Sequence, residues 1–265
     1  MTLIQLIVLA LIQGLTEFLP VSSSAHLILG SVAFGWPDQG IVFDTATHLG
    51  TLFAVLFYFR RDLLDMAQSW LGPVQSEQDR QNRSLTVYLA IASIPVLLIG
   101  FLAHGFVEQY LRDIRIIGWT TLLFGMLLWV AHAVGPRVSG LKEMTFKSAL
   151  LVGMAQVFAL IPGASRSGVT ITAARFLGFT PDAAARFSFL LSIPVIAAAG
   201  AFSILRIATG ESRIEWLQFG IAVLFAALAG WVCIAAFLAL LKRIGLMPFV
   251  IYRLLLGVFL IWYLA

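Results

Sequence analysis

Glu17, Ser22, Ser23, Ser24 and His26 crowd into one short stretch, Gln13-Gly-Leu-Thr-Glu17-Phe-Leu-Pro20-Val-Ser22-Ser23-Ser24-Ala-His26, inside an otherwise apolar chain. A second cluster lies far downstream, at Pro162-Gly-Ala-Ser165-Arg166-Ser167-Gly168-Val-Thr170-Ile. Each begins where a proline, followed by hydroxyl residues, interrupts an apolar run. In lipid, ionisable side chains without an anchoring task mark functional sites by default.

The residue types suggest a particular chemistry. A serine hydroxyl can act as a nucleophile if a base is within reach, and His26 and Glu17 are the nearby candidates. The three serines also suit helix capping, and at least one is expected to cap. A carboxylate such as Glu17 in a dry site needs a cation or hydrogen-bond donors beside it. Gln13, one helical turn earlier on the same face, can donate to Glu17 or to a substrate, and equally well serve as helix-packing glue. Arg166 offers a planar fork that matches phosphate oxygens. It would otherwise anchor at the membrane interface or pair with Glu17. Two helix N-termini facing each other at mid-membrane would add backbone N–H groups and positive dipole ends, so a phosphate group is the natural occupant.

The remaining polar residues are less informative. Asp44 and His48, four apart on one helix face, read as an interfacial polar patch rather than a metal pair, because no third ligand is evident. His104 and His132 read as interfacial, and Cys233 as a packed lone thiol that cannot form an intramolecular disulfide. The chain has no Walker loop, H-E-x-x-H zinc helix, G-x-S-x-G elbow or dinucleotide fingerprint, which removes the common soluble enzyme classes.

These clusters must be positioned by membrane helices. Of 265 residues, 60% are hydrophobic and 11% charged, whereas a soluble globule carries about 25% charge. The net charge of +4 comes from Lys and Arg grouped between apolar runs, which sets membrane orientation and does not indicate nucleic-acid binding. The first apolar run lacks a basic start and carries Glu17 before Pro20, so it is expected to be retained rather than cleaved as a signal peptide.

Residues 2–19 form the first apolar helix. The next run, about Ala25 to Phe34, covers roughly 15 Å and cannot cross a core about 30 Å thick, which predicts a re-entrant hairpin. Crossings are expected at 41–59, 85–103 and 116–134, with a polar segment at 60–84 and a short interfacial helix at 108–115. A second hairpin, 148–161 and 165–177, flanks Pro162-Gly163. Three further crossings follow at 181–204, 216–241 and 248–264. Arg60, Arg61, Arg80, Arg83, Arg137, Lys142, Lys147, Lys242 and Arg243 mark the cytoplasmic loops, and Arg112, Arg115, Arg206 and Arg213 fall on the outer side.

The expected fold is an all-α polytopic membrane protein with six transmembrane helices and two re-entrant helical hairpins. Its single membrane domain, 1–265, divides into repeat one at 1–134, with its hairpin at about 2–34, and repeat two at 148–265, with its hairpin at about 148–177. Three crossings per unit give the second the opposite orientation, an inverted-topology repeat. Pro20-Val-Ser-Ser23 aligns with Pro162-Gly-Ala-Ser165. Ser93-Ile-Pro-Val96 and Ser192-Ile-Pro-Val195 do not fit that register and read as two similar proline kinks.

Gln13–His26 resembles the (E/Q)-x-x-x-E and serine-histidine signature of the undecaprenyl-diphosphate phosphatase, or bacitracin-resistance, family. Pro162–Ile171 resembles that family's P-G-x-S-R-S-G-x-T signature. The similarity also covers 187–194 and Pro248-Phe-Val-Ile-Tyr-Arg253. It implies hydrolysis of undecaprenyl diphosphate to undecaprenyl phosphate and inorganic phosphate. That reaction recycles the lipid carrier for peptidoglycan synthesis in a bacterial plasma membrane, with the site open to the outer face.

By position, the resemblance places the nucleophile on Ser23, the histidine on His26 and the acidic pair on Gln13 and Glu17. Ser165, Arg166, Ser167 and Thr170 become the phosphate-binding set, with Ser22 and Ser24 in support. It also implies a divalent cation, Mg2+ or Ca2+, on Glu17 or carried by the substrate diphosphate. Gln13, standing where a second carboxylate can occur, argues against a mechanism needing both as ligands, and Ala25 replaces a frequent glycine. Expected partners are the prenyl diphosphate and the bilayer, with homodimerisation left open. The rival reading is a transporter or flippase of a phosphorylated prenyl lipid, since broken helices at the midplane are common in carriers. An acid-phosphatase-like lipid phosphatase would need a K-x-x-x-x-x-x-R-P element, which the chain lacks.

Overall fold

The computed structural model describes residues 1–36, 40–111, 113–136, 138–211 and 214–263. Arg112, Arg137 and Arg213, named above, lie outside the described residues. Among the described residues the regular structure is all helical, apart from one isolated bridge between Ser139 and Phe179.

Helices α1 (Leu3–Glu17) and α2 (Ser23–Phe34) flank the first break. Thr2 and Gln5 form a capping box that fixes the start of α1. Helix α3 (Gly40–Tyr58) leads to α4 (Arg60–Ser69), α5 (Glu77–Tyr110) and α6 (Ile114–Val134). Helix α7 (Phe146–Gln156) runs through a 3-10 turn, Val157–Leu160, into the second break, and α8 (Arg166–Phe176) leaves it. Then come α9 (Pro181–Arg206), a π-turn at Ile207–Glu211, α10 (Trp216–Ile244) and α11 (Met247–Tyr263).

Among the described residues, five helices are long and apolar enough to cross a membrane: Gly40–Tyr58, Glu77–Val107, Ile114–Val134, Pro181–Gly210 and Trp216–Ile244. The chain is a polytopic membrane protein. Leu3–Glu17, Phe146–Leu160 and Met247–Trp262 are shorter apolar helices. The last of these, expected as a sixth crossing, has 17 residues in all, about 25 Å at 1.5 Å per residue.

Two expectations need correction. Residues 108–115 do not form a separate interfacial helix: α5 continues unbroken to Tyr110, and α6 begins at Ile114. The helix also starts at Glu77, well before the apolar run, because Ser76 and Asp79 close a capping box around its exposed first turn. Its 34 residues therefore reach about 51 Å. The polar segment after Tyr58 is likewise no plain loop, since Arg60–Ser69 is helical and buries Met66.

Helix α10 packs against α3 and α1, while α5 packs against α9 and α7; α6 and α11 pair, as do α3 and α9. Glycine permits some of these approaches. A Cβ on Gly153 of α7 would lie 2.4 Å from the Ala92 carbonyl oxygen of α5, so the two backbones meet directly there. Pro95 and Pro194 sit inside α5 and α9, which pack together. Each removes a helix hydrogen bond, and the following residues, Val96 and Val195, face the same cavity.

Candidate active site

Both breaks are built alike. Ser22 and Ser165 hold left-handed backbones, with φ of 72° and 67°, a conformation uncommon for residues other than glycine. Each caps the helix that follows. Ser22 Oγ accepts from the Ala25 N–H at 3.4 Å, and Ser165 Oγ accepts from the Gly168 N–H at 3.2 Å. Each hydroxyl also meets the serine two positions on, Ser24 at 3.1 Å and Ser167 at 3.3 Å. By these backbone angles and caps, Ser22 corresponds to Ser165 and Ser23 to Arg166. That register is one residue away from the alignment of the two prolines, because the backbone repeats the cap and not the ring.

The breaks are tied to one another. The Gly163 N–H donates to Ser24 Oγ at 3.2 Å, and Ser167 Oγ donates to the Leu19 carbonyl at 2.8 Å. Arg253 of α11, fully buried, spans both: its guanidinium donates to the carbonyls of Pro20 at 3.4 Å, Gly163 at 2.7 Å, Ala164, and Thr121 at 3.0 Å. Thr120 of α6 donates to the Pro162 carbonyl at 2.6 Å. Broken helices leave carbonyls without partners, and in an apolar medium these donors are what make the breaks tolerable.

Glu17 is the hub where the two halves meet. Its Oε2 accepts from the Gln13 amide at 2.9 Å and from Ser23 Oγ at 3.0 Å. Its Oε1 pairs with Arg166 Nη2 at 3.2 Å, with Arg166 only 11% and Glu17 8% exposed. Ser23 and Arg166, 143 positions apart in the sequence (166 − 23), thus share one carboxylate. The Arg166 guanidinium is seated by the Ser188 carbonyl at 3.2 Å.

A cavity of about 330 Å3 opens here, lined by Glu17, Ser22, Ser23, Ser24, His48, Gln156, Ser165 and Arg166, with an apolar wall that includes Val96, Leu160, Val195 and Ala199. The N-termini of α2 and α8 both reach it, and first-turn N–H groups lack intrahelical acceptors. The set combines a hydroxyl, its carboxylate acceptor and an anion-binding fork.

Not every expected residue faces this space. Ser167 and Thr170 are fully buried behind Arg166. Thr170 Oγ meets Ser188 Oγ at 2.7 Å and donates to the Arg166 carbonyl at 2.9 Å, so both residues hold α8 in place. His26 is coupled to Ser22 and not to Ser23. Its Nδ1 lies 2.7 Å from the Ser22 carbonyl oxygen, which can only accept, so Nδ1 carries the proton. Nε2 of the neutral ring then accepts from the Tyr252 hydroxyl at 2.6 Å, and the two rings stack.

His48 belongs to the site and not to an interfacial patch. Its Nδ1 donates to the Asp44 carbonyl at 2.7 Å, which leaves Nε2 to accept from the Gln13 amide at 3.4 Å, 4.0 Å from Glu17 Oε2. The packing of α3 on α1 turns this face inward. Sequence reasoning also passed over Gln156, and gave no role to Tyr252 and Arg253 within the matching segment 248–253. Gln156 carried a legible signal, since it precedes Ser165 by the same nine positions as Gln13 precedes Ser22.

The residues present do not offer a ready cation site. Both Glu17 oxygens already accept from Gln13, Ser23 and Arg166. Among the described residues, no three His, Cys, Asp or Glu side chains gather as metal ligands.

The described residues make up a polytopic helical membrane protein whose serine, carboxylate and arginine are joined across two helix breaks. Residues 6–259 match the model of the family described as bacitracin resistance protein BacA, and the chain belongs to that family. It is 49% identical over 257 residues, 97% of this chain and 96% of the relative, to an undecaprenyl-diphosphatase of Saccharophagus degradans. It is 49% identical to an undecaprenyl-diphosphatase of Alcanivorax borkumensis, covering 98% of each chain. It is 45% identical along the whole of both chains to undecaprenyl-diphosphatase 1 of Pseudoalteromonas translucida.

Proposed function

We propose that this protein is an undecaprenyl-diphosphatase, cleaving undecaprenyl diphosphate to undecaprenyl phosphate and inorganic phosphate. The observation that carries the reading is the single carboxylate of Glu17 bridging Ser23 and Arg166 at the mouth of two helix N-termini. Family membership and the named relatives support the substrate.

In this reading, Arg166 and the first-turn N–H groups of α2 and α8 hold the terminal phosphate. Ser23 Oγ attacks its phosphorus in line. The Oγ–P bond forms, the P–O bond to the bridging oxygen breaks, and undecaprenyl phosphate leaves. Substrate phosphate competes with Glu17 for the guanidinium, and Glu17 is positioned to accept the Ser23 proton. Water then attacks the phosphoserine, releasing inorganic phosphate and restoring the hydroxyl. Charge spread over the equatorial oxygens is stabilised by donors already in place, the largest contribution available to a phosphoryl transfer. A divalent cation would enter with the diphosphate, since the Glu17 oxygens are occupied.

The same reading places the chain in the bacterial plasma membrane, recycling the lipid carrier, with the cavity open to the outer face. Swapping α1 with α7, α3 with α9, α5 with α10 and α6 with α11 carries α1–α10 packing onto α7–α5 and α3–α10 onto α9–α5. It leaves the α3–α9 and α6–α11 pairs on themselves, and this supports an inverted repeat.

The test is phosphate release from undecaprenyl diphosphate by purified protein in detergent. Ser23→Ala is expected to lower kcat by about three orders of magnitude or more, as loss of a nucleophile does. Retained activity in Ser23→Ala removes the serine from the chemistry, and an inactive wild type removes the function.

A further inference from the structure

Gln13 is fully buried, and its amide is engaged on one side only. The nitrogen lies 2.9 Å from Glu17 Oε2 and 3.4 Å from His48 Nε2, while Oε1 has no hydrogen-bond partner among the described residues. A carboxamide carries two N–H donors and an acceptor oxygen, and a half-turn about its last bond exchanges them. Leaving a buried acceptor unsatisfied is costly, so the neighbours of the nitrogen must hold it where it is.

Both of those neighbours are acceptors. Glu17, paired with Arg166 at 3.2 Å through its other oxygen, is a carboxylate and can only accept. His48 Nδ1 lies 2.7 Å from the Asp44 carbonyl oxygen, which also only accepts, so Nδ1 carries the proton and Nε2 of the neutral ring is an acceptor as well. Only the amide nitrogen, with one N–H for each, suits the position between them. Were Nε2 to carry the proton, Gln13 would have to turn its oxygen toward it, and that oxygen would then face the Glu17 carboxylate.

A chain of hydrogen bonds follows, from the Asp44 carbonyl of α3 through His48 and Gln13 to Glu17 Oε2, which receives the Ser23 hydroxyl at 3.0 Å. Each link fixes which atom donates in the next, and the last member is the serine. His26 stands apart from this chain, with its ring nitrogens at the Ser22 carbonyl and the Tyr252 hydroxyl. We propose that His48 is a positioning residue: its unprotonated Nε2 holds the Gln13 nitrogen against Glu17 and so keeps Glu17 Oε2 in place to accept the Ser23 proton. That proton passes to Glu17 as the Oγ–P bond forms. It returns to Oγ when water cleaves the bond, and the water's own protons leave on the phosphate. His48 neither gains nor loses one. The inference rests on the reading that Ser23 is the nucleophile and Glu17 its base.

The experiment measures kcat and KM for phosphate release from undecaprenyl diphosphate by purified protein carrying His48→Leu, His48→Phe, His48→Gln, Gln13→Met, or His48→Leu together with Gln13→Met. His48→Leu and His48→Phe, which lack an acceptor, should lower kcat about tenfold, the upper end of what one neutral hydrogen bond contributes, with KM nearly unchanged. His48→Gln should recover most of that loss, because its carboxamide oxygen can accept in place of Nε2. In the Gln13→Met background, His48→Leu should cost little more, since members of one chain are not additive. A wild-type kcat in His48→Leu and His48→Phe overturns the proposal. So does a His48→Gln enzyme as slow as His48→Leu, which would make the imidazole itself a proton carrier, and so does full additivity with Gln13→Met, which would detach His48 from Gln13. Loss of folded protein in both acceptor-free variants, read from the apparent Tm, overturns it as well by making His48 structural. Failure of the underlying reading is seen separately, as retained activity in Ser23→Ala.

Discussion

Replacing Arg166 with Met should unfold the protein more readily than its size change suggests. The side chain is 11% exposed and its partner Glu17 8% exposed, at 3.2 Å. Removing the cation leaves a buried carboxylate with the Gln13 amide and the Ser23 hydroxyl as its hydrogen-bond donors and the His48 ring 4.0 Å away. Breaking one side of a buried pair costs about 3–5 kcal/mol. At about 2–4 °C per kcal/mol for a chain of this size, the apparent Tm should fall by about 6–20 °C. The double variant Arg166→Met/Glu17→Gln removes the stranded charge and should recover most of that loss while remaining inactive, giving a large coupling energy. Thermal unfolding in detergent, followed by tryptophan fluorescence on the four proteins of the cycle, measures it. A stable Arg166→Met, or a double variant no better than the single, would refute the view that Glu17 joins the two halves through a buried ion pair.

Two further predictions concern the supports of the site. Tyr252→Phe removes the hydroxyl that His26 Nε2 accepts at 2.6 Å; phosphate release should fall about tenfold, and adding His26→Ala should cost little more, because residues in one network are not additive. A His26→Ala enzyme as inactive as Ser23→Ala would instead place the imidazole in direct contact with the reacting atoms. Gly163→Ala should be severely destabilising. Its φ is 91°, and a Cβ would sit 2.2 Å from Thr120 Oγ1 and 2.5 Å from the Ile117 carbonyl. Strain and overpacking together amount to about 2–6 kcal/mol. Gly72→Ala, with nothing within 4 Å of the new Cβ, is the matched control, and similar apparent Tm values for the two would contradict the packing argument.

Much of this protein was written locally. Hydropathy marks the apolar runs because lipid admits little else, and a proline followed by capping serines stops one helix and starts another whatever surrounds it. The two breaks and their chemistry at Glu17, Ser23 and Arg166 are therefore legible in sequence. So is the bond from Gln13 to Glu17, since it needs only a shared helix face. The extra length of α5 was also open to a local reading, through the capping box at Ser76, but its polar first turn concealed it.

The tertiary structure decided which of these pieces meet. His48 enters the site because α3 packs against α1, and the same pattern of side chains on a lipid-facing helix would have been an interfacial patch. His26 is turned toward Tyr252 by the approach of a helix more than two hundred positions away. Arg253 satisfies carbonyls from both breaks, a role defined by groups that have no fixed spacing from it. The register in which the two breaks match also emerged only in three dimensions, because it is set by the left-handed serines, Ser22 and Ser165, and not by the prolines. Side-chain type and helix face are properties of a short window, whereas contact across the bundle depends on how whole helices dock, and no single stretch encodes that.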